Sequence, residues 1–465
     1  MVLSLKVRKQ MLGKSEAQKR GLALRAHLGR SALADLPQRK FNPLDLILQA
    51  AKNHIAQLLP KKFNLMSTSP FAFFRGSVEI MAADLGQSKH TRIEVQMCGD
   101  AHVKNFGFFA TPSAEIVLDM NDFDETQRGP WEWDVKRLAT SIVLAGRLAG
   151  DNDACCKDAV HVFIDGYCKW IRYFAGIPAI EVARHHIIRD LRDPAIRSAL
   201  KQAQRVSPLV NLQKLTRKTK SGRSFIYKPE TIWDVKGAKS KAVVRALSDY
   251  RKTLAPDRQF LFDRYTPVDV GFKVVGTGSV GTRDYVVLLL GCDGDGRNRN
   301  GRDGNEDDPL FLQIKEECRS AYAGYYKDRS SPKQQGQRVV GGQRALQVFS
   351  DQLLGWCSIA GRDYLVRQLS DHKSSVAPEE LKGDRLIEYS RICAELLAKG
   401  HARSGEPAVH TAYLGRPGKA EKALAQFALK YAERVEADYE SFRKALKRNF
   451  IHDAMKLADH VRIFR

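Results

Sequence analysis

Apolar and polar positions repeat with two different periods along this chain, and the places where the period changes divide it. Residues 43 to 60 begin Pro-Leu-Asp-Leu-Ile-Leu-Gln-Ala-Ala and continue through His54, Ile55, Leu58 and Leu59. That spacing predicts an amphipathic helix with Pro43 in its first turn. A turn then leads into Ser69-Pro70-Phe71-Ala72-Phe73-Phe74-Arg75-Gly76. Strict alternation in Arg92-Ile93-Glu94-Val95-Gln96-Met97 and in Glu115-Ile116-Val117-Leu118 predicts two short strands. Helical periodicity dominates from Trp133 to about Ala203. The middle, about 222 to 316, reads as β-rich, with strands at Phe225 to Tyr227, Phe272 to Val275, Tyr285 to Leu290 and Leu310 to Ile314. From Gln335 the pattern is helical to Leu354, passes one strand at Tyr364 to Leu369, and is helical again from about Glu379. There is no internal repeat.

Composition narrows the class. No apolar run reaches the roughly 18 to 20 residues of a membrane helix, and the N-terminus mixes Lys6, Arg8, Lys9 and Lys14 with short apolar pieces, so a soluble cytoplasmic protein is expected. The eight cysteines form no CxxC pair, which argues for reduced thiols over structural zinc or disulfides. Net charge is +23. Residues 1 to 40 contribute +8, ten Lys/Arg against two acids, and residues 201 to 252 contribute +11, fourteen against three. Neither tract has interleaved aromatics or a reader motif, so a solvated surface or loose tail is preferred over a nucleic-acid site. Segment 98 to 134 is the reverse, with eight acids against Lys104 and Arg128. An acidic strip in a basic protein suits a divalent cation facing anionic ligands. Asp293-Gly294-Asp295-Gly296-Arg297-Asn298, running on to Asp308, lacks the distal Glu of a calcium loop and reads as a hairpin excursion.

The acidic strip carries chemistry. Cys98-Gly99-Asp100-Ala101-His102-Val103-Lys104-Asn105 has the D-x-x-x-x-N spacing at which a tight loop aims a carboxylate at a hydroxyl and an amide oxygen at a metal. Asn121-Asp122-Phe123-Asp124-Glu125 follows a strand, and Arg128-Gly129-Pro130-Trp131-Glu132-Trp133-Asp134 opens a helix. Asp122 is the natural hard-oxygen ligand for magnesium, with Asp119 and Asp124 as competitors. Arg75 could grip a phosphate or carboxylate through its fork, or pair structurally with an acid. His102 could assist proton transfer but reads first as a packing and hydrogen-bonding residue of the loop, and Trp131 and Trp133 read as core anchors rather than a stacking platform.

These motifs resemble the aminoglycoside phosphotransferase and choline kinase branch of the protein-kinase-like superfamily, where an H-G-D-x-x-x-x-N loop precedes I-D-[FW]-x-[DE] and G-D-P-x-x-D-[LI]-A. The resemblance implies Asp100 as catalytic acid/base, Asn105 and Asp122 as metal ligands, and Asp134 as a buried carboxylate tying down the catalytic loop. Cys98 stands where that branch often has His. Residues about 40 to 450 also resemble a bacterial domain-of-unknown-function family with the hallmarks S-P-F-A-F-x-R-G, C-G-D-A-H-x-x-N-F-G, N-D-F-D-E and G-P-W-E-W-D-x-K-R-L.

A second half-site lies far downstream. Val274-Val275-Gly276-Thr277-Gly278-Ser279-Val280-Gly281-Thr282 carries G-x-G-x-x-G between two strands, where backbone N–H groups can approach phosphates; the strand that follows disfavours a dinucleotide-binding reading, which requires a helix. Gly276, Gly278, Ser279 and Gly281 are thus candidate nucleotide contacts. Lys315, in Leu312-Gln313-Ile314-Lys315, reads as the strand lysine that pairs with the α- and β-phosphates, or else as an edge lysine. The next helix offers no Glu to hold it before Asp351, so Glu316, Glu317 or Asp351 would have to substitute. Tyr364 to Asp371 would supply the hinge, and Leu396-Leu397-Ala398-Lys399-Gly400-His401-Ala402 resembles the helix end that precedes the catalytic loop in ordinary kinases.

The order catalytic loop, metal loop, glycine loop, lysine, hinge, pre-catalytic helix is the usual kinase cycle cut before its catalytic strand. The expected fold is α+β and bilobal, protein-kinase-like with circularly permuted lobe order. The expected parts are a basic extension (1–39), a helical catalytic lobe (40–204 and 376–465) and a β-rich nucleotide lobe (205–375). The expected activity is transfer of the ATP γ-phosphoryl group, with Mg²⁺, to a hydroxyl of a small-molecule acceptor. The alternatives are AMP transfer to protein hydroxyls, or a non-catalytic nucleotide or nucleic-acid binder.

Overall fold

The computed structural model describes residues 14–187, 194–205, 207–220, 222–274, 280–291, 305–369 and 374–458. Gly276, Gly278, Ser279 and Asp371 lie outside them, as does the Asp293 excursion up to residue 304. The fold is mixed α+β, with its sheets antiparallel.

The largest sheet has six strands in the order Gly355–Ile359, Arg362–Gln368, Asn305–Glu316, Asp284–Gly291, Tyr265–Lys273, Ile232–Asp234. Its centre is apolar on both faces because both are covered. Val287, Leu289, Leu310, Leu312 and Ile314 pack with Val243, Leu247 and Tyr250 of helix Gly237–Lys252. The alternate residues Val286, Leu288, Leu290 and Phe311 pack with Leu212 and Phe225. Two-sided burial explains why this run reads as continuously hydrophobic. The β-rich middle also contains helices Gly237–Lys252 and Pro256–Phe262, which fall within what the pattern marked as sheet.

The remaining chain is mostly helical around a single large core. Helix Asp153–Gly176 packs along Asp384–Ser404, and Lys419–Leu446 packs along Trp131–Leu148. Trp131 stacks on Tyr167 at 5.7 Å, which fits its expected role as a core anchor. Three pattern readings are modified. The helix expected over 43 to 60 breaks into Pro43–Ala51, a 3₁₀ turn at Ala56–Leu58 and Leu59–Met66, because Pro60 is accepted only in the first turn of a new helix. The helix from Gln335 stops at Leu346 rather than Leu354. Residues from Lys14 onward are docked, not a loose tail: Arg25 Nε donates to Tyr413 O at 2.8 Å, and Arg39 bridges Asp84 and Asp438.

Two small sheets frame the acidic strip. Glu94–Met97 pairs with Gln127–Pro130, and Phe106–Ala110 lies between Ile116–Met120 and Ser374–Ser375. The Asp100 loop leaves the first sheet and enters the second, while the Asp122 loop runs back the other way. The two loops therefore lie side by side.

Candidate functional site

One face of helix Trp131–Leu148 organises the Asp100 loop. Asp134, Arg137 and Ser141 sit at i, i+3 and i+7, the repeat that places residues on one helical stripe. Asp134 Oδ2 and Oδ1 accept from the Cys98 and Gly99 amides at 2.6 and 2.9 Å. Arg137 Nε donates to Asp100 Oδ1 at 2.6 Å, and Ser141 Oγ accepts from Val103 N at 3.1 Å. Helix Asp384–Ser404 supports this clamp through His401, whose Nε2 lies 3.1 Å from Asp134 Oδ2 and whose Nδ1 lies 2.7 Å from the Tyr167 hydroxyl. Gly99, at φ +87°, admits no other residue, because a Cβ would collide with the Glu125 carbonyl.

Asp100 keeps Oδ2 clear of Arg137, with His102 Nε2 3.5 Å away. Burial pushes the His102 imidazole down to about 3, outweighing Asp100, so His102 is a neutral hydrogen-bonding ring. Asn105 joins the two loops: its Nδ2 donates to Asp100 O and Asp122 O at 3.0 and 2.9 Å, and its Oδ1 accepts from Asp122 N at 2.6 Å. This buried amide is first a clamp between the loops.

Lys315, at the end of strand Asn305–Glu316, meets the Asp122 loop directly. Its Nζ bonds Asp124 Oδ2 and lies 3.5 Å from Asp122 Oδ1. Burial opposes the ammonium charge, but Asp122 and Asp124 outweigh it and hold the pKa above the ordinary lysine range. Burial and then repulsion from Asp122 raise the Asp124 carboxyl. Asp122 is the more open of the two, with its side chain 48% exposed against 28%. The contacts of Lys315 correct its edge-lysine alternative.

None of the three acids weighed as a stand-in for the helix glutamate bonds Lys315. Glu316 pairs with Arg283 and Arg362 at 3.0 and 2.8 Å, and Asp351 accepts from Leu353 N and Gln368 N. Glu317 is buried nearby, raised well above the usual carboxylate range by burial and then by Asp124. Helix Gln335–Leu346 instead contributes Arg338, which donates to Thr126 O, Asp124 O and Cys318 O at 2.5, 2.8 and 2.8 Å. Three carbonyls converging on one guanidinium fix the Asp122 loop against the end of the lysine strand. Pattern reading missed Arg137 and Arg338; the signal for Arg137 was its place at i+3 from Asp134, with Ser141 at i+7, on one stripe of the helix.

Asp119 has a different role from its neighbours. It lies in strand Ile116–Met120 and its Oδ2 pairs with Lys399 Nζ at 2.5 Å, both side chains being buried, while Oδ1 accepts from Met120 N. Both oxygens have protein partners, which leaves Asp122 and Asp124 as the candidate cation carboxylates; the Asn105 amide oxygen, expected as a further ligand, accepts from Asp122 N. Of the glycine turn, Gly281 is described: its carbonyl accepts from Ile55 N at 2.7 Å, and at φ +104° it packs against His54. His54 Nε2 in turn bonds the buried Lys62 at 2.9 Å.

Among the described residues no group of three or more His, Cys, Asp or Glu side chains is arranged around a metal position, and no helix is long and apolar enough to cross a membrane. A family model described as an uncharacterized protein conserved in bacteria (DUF2252) matches residues 54–445. No curated protein and no solved structure matches the chain.

Proposed function

The chain belongs to the bacterial family DUF2252, and we propose that it is an ATP-dependent phosphotransferase with a protein-kinase-like fold whose two lobes are exchanged in chain order. In this reading the six-stranded sheet carries the nucleotide, and the helical part carries the group that orients the acceptor. One observation carries it: Lys315 contacts Asp124 and Asp122 from 191 and 193 residues away, joining a phosphate-type lysine to paired carboxylates.

The residues fit a magnesium ion bound as Mg²⁺ usually is, through one or two carboxylates together with phosphate oxygens and water. Asp122 and Asp124 would hold it, and bound there it would neutralise charge on the β- and γ-phosphates. Lys315 would move from Asp124 to the α- and β-phosphates. The acceptor hydroxyl oxygen attacks Pγ, the bond from Pγ to the bridging oxygen breaks, and ADP leaves. The hydroxyl proton passes to Asp100 Oδ2, while Arg137 keeps Oδ1 fixed. Cys98 and Gly99, held by Asp134, keep the loop from turning the carboxylate away.

The test incubates the full chain with ATP and Mg²⁺ against a panel of small alcohols and follows the products by mass spectrometry. The expected result is ADP together with a phosphorylated alcohol. Asp100→Asn should lower the rate by about 10²- to 10⁴-fold, the range for losing a general base. Addition of AMP with release of pyrophosphate would replace this reading with adenylyl transfer, and absence of any nucleotide binding would end both.

A further inference from the structure

A second charged group borders Asp100. Arg75 closes the short helix Pro70–Gly76, which Ser69 caps by accepting from Ala72 N at 3.1 Å. Phe71, Phe73 and Phe74 are buried and anchor this helix, so the half-buried Arg75 faces the loop beside it. Its Nε donates to His102 Nε2 at 3.3 Å, and that same ring nitrogen lies 3.5 Å from Asp100 Oδ2. Arg75 is thus one ring away from the proton-accepting oxygen.

The two terminal nitrogens of Arg75 make no hydrogen bond or ion pair with any described residue. The acids that act on Arg75 electrostatically are Asp100, Asp122 and Glu379. Asp100 is already bonded to Arg137, Asp122 lies against Lys315, and the exposed Glu379 forms no ion pair with it among the described residues. Burial outweighs these distant acids and lowers the Arg75 pKa. A desolvated guanidinium without a bonded counterion is costly, and a planar fork matches carboxylate and phosphate oxygens in pairs. Lys104, on the same loop, adds a second cation. It is exposed, two residues past His102 in the turn Val103–Asn105, and it too forms no ion pair among the described residues.

We propose that Arg75 and Lys104 form an oxyanion site on the acceptor side of Asp100, so that the alcohol phosphorylated here also carries a phosphate or carboxylate group. The inference rests on the phosphotransfer reading, because it assigns the triphosphate to Lys315 and so leaves Arg75 and Lys104 for the acceptor. A cationic acceptor would meet two like charges on this side of Asp100.

The experiment uses the full chain saturated with a non-hydrolysable ATP analogue and Mg²⁺, titrated calorimetrically with inorganic phosphate and, in a separate arm, with acetate. At least one anion should bind the loaded protein. Arg75→Gln should weaken that binding by about 10-fold or more, as expected for loss of a charge-assisted pair of hydrogen bonds, and Lys104→Ala by about 3-fold. The stronger of the two anions identifies whether the acceptor bears phosphate or carboxylate. Binding of neither anion by the loaded wild type, or equal binding by both variants, overturns the proposal while leaving phosphotransfer standing. A parallel loss of analogue affinity in Arg75→Gln also overturns it, by reassigning Arg75 to the nucleotide. Failure of the wild type to bind the analogue defeats the phosphotransfer reading and this inference with it. Should Arg75→Gln not fold, the exposed Lys104→Ala decides the matter alone.

Discussion

His401 Nε2 lies 3.1 Å from Asp134 Oδ2, so that a residue near the end of helix Asp384–Ser404 buttresses the carboxylate holding the Cys98 and Gly99 amides. Asp134 is therefore the point where three separate stretches of chain are tied together. Asp134→Asn keeps the shape but offers a donor where two amides need acceptors. The expected loss is about 2–4 kcal/mol, read from the urea unfolding midpoint at constant slope.

The Asp119 and Asp122 carboxylates, three positions apart, should respond differently. Lys399→Met leaves Asp119 buried without its ammonium partner and should destabilise by about 3–5 kcal/mol, with the Asp119→Asn/Lys399→Met double variant recovering most of it. Asp122→Asn should cost about 1 kcal/mol or less of unfolding free energy, since its side chain is half exposed and Lys315 keeps Asp124, yet raise the Mg²⁺ concentration needed for nucleotide binding. Measuring both quantities in both sets of variants checks the division.

Lys315→Met should weaken binding of ATP with Mg²⁺ by about 10- to 100-fold, the effect of losing one or more charge-assisted hydrogen bonds. Calorimetric titration gives the affinity. The same substitution removes the partner of Asp124, so the variant should also become less stable as pH rises and that carboxyl ionises.

Glu125 provides a pH signature. Burial raises its carboxyl from about 4.5 to about 7, against the opposing bond from Ala321 N. The folded state therefore holds this proton more tightly than the unfolded state. Its stabilising effect is complete below about pH 4.5 and is lost as pH rises to about 7, a change of up to about 3 kcal/mol at 1.36 kcal/mol per pH unit. Glu125→Gln should flatten this part of the stability curve. Unfolding midpoints of wild type and variant between pH 5 and 8 test it.

The parts of the site that depend on local order were legible in the sequence. Asp100, Asp122 and Asp134 announce themselves through a strand, a tight loop and a helix start within 37 residues. Alternation likewise marked two of the framing strands, and a continuous apolar run marked the centre of the large sheet. What stayed hidden depends on which residue faces which across the fold. Asp119 looks like a cation ligand in a row of acids, but Lys399, 280 residues later, pairs with it. Arg338 sits on a helix where a kinase-like pattern calls for a carboxylate, and its acceptors are backbone carbonyls, which no side-chain motif records. The break at Pro60 was readable locally, but the amphipathic pattern on both sides concealed it.

The 191-residue separation of Asp124 and Lys315 also bears on synthesis. At translation rates of about 5–20 residues per second, the acidic loop leaves the ribosome about 10–40 s before the lysine that neutralises it. His401 emerges later still. Until then the nascent chain carries Asp122 and Asp124 without Lys315 and the Asp100 loop without its His401 buttress. The contacts that hold the two acidic loops are therefore completed only after helix Asp384–Ser404 has been made.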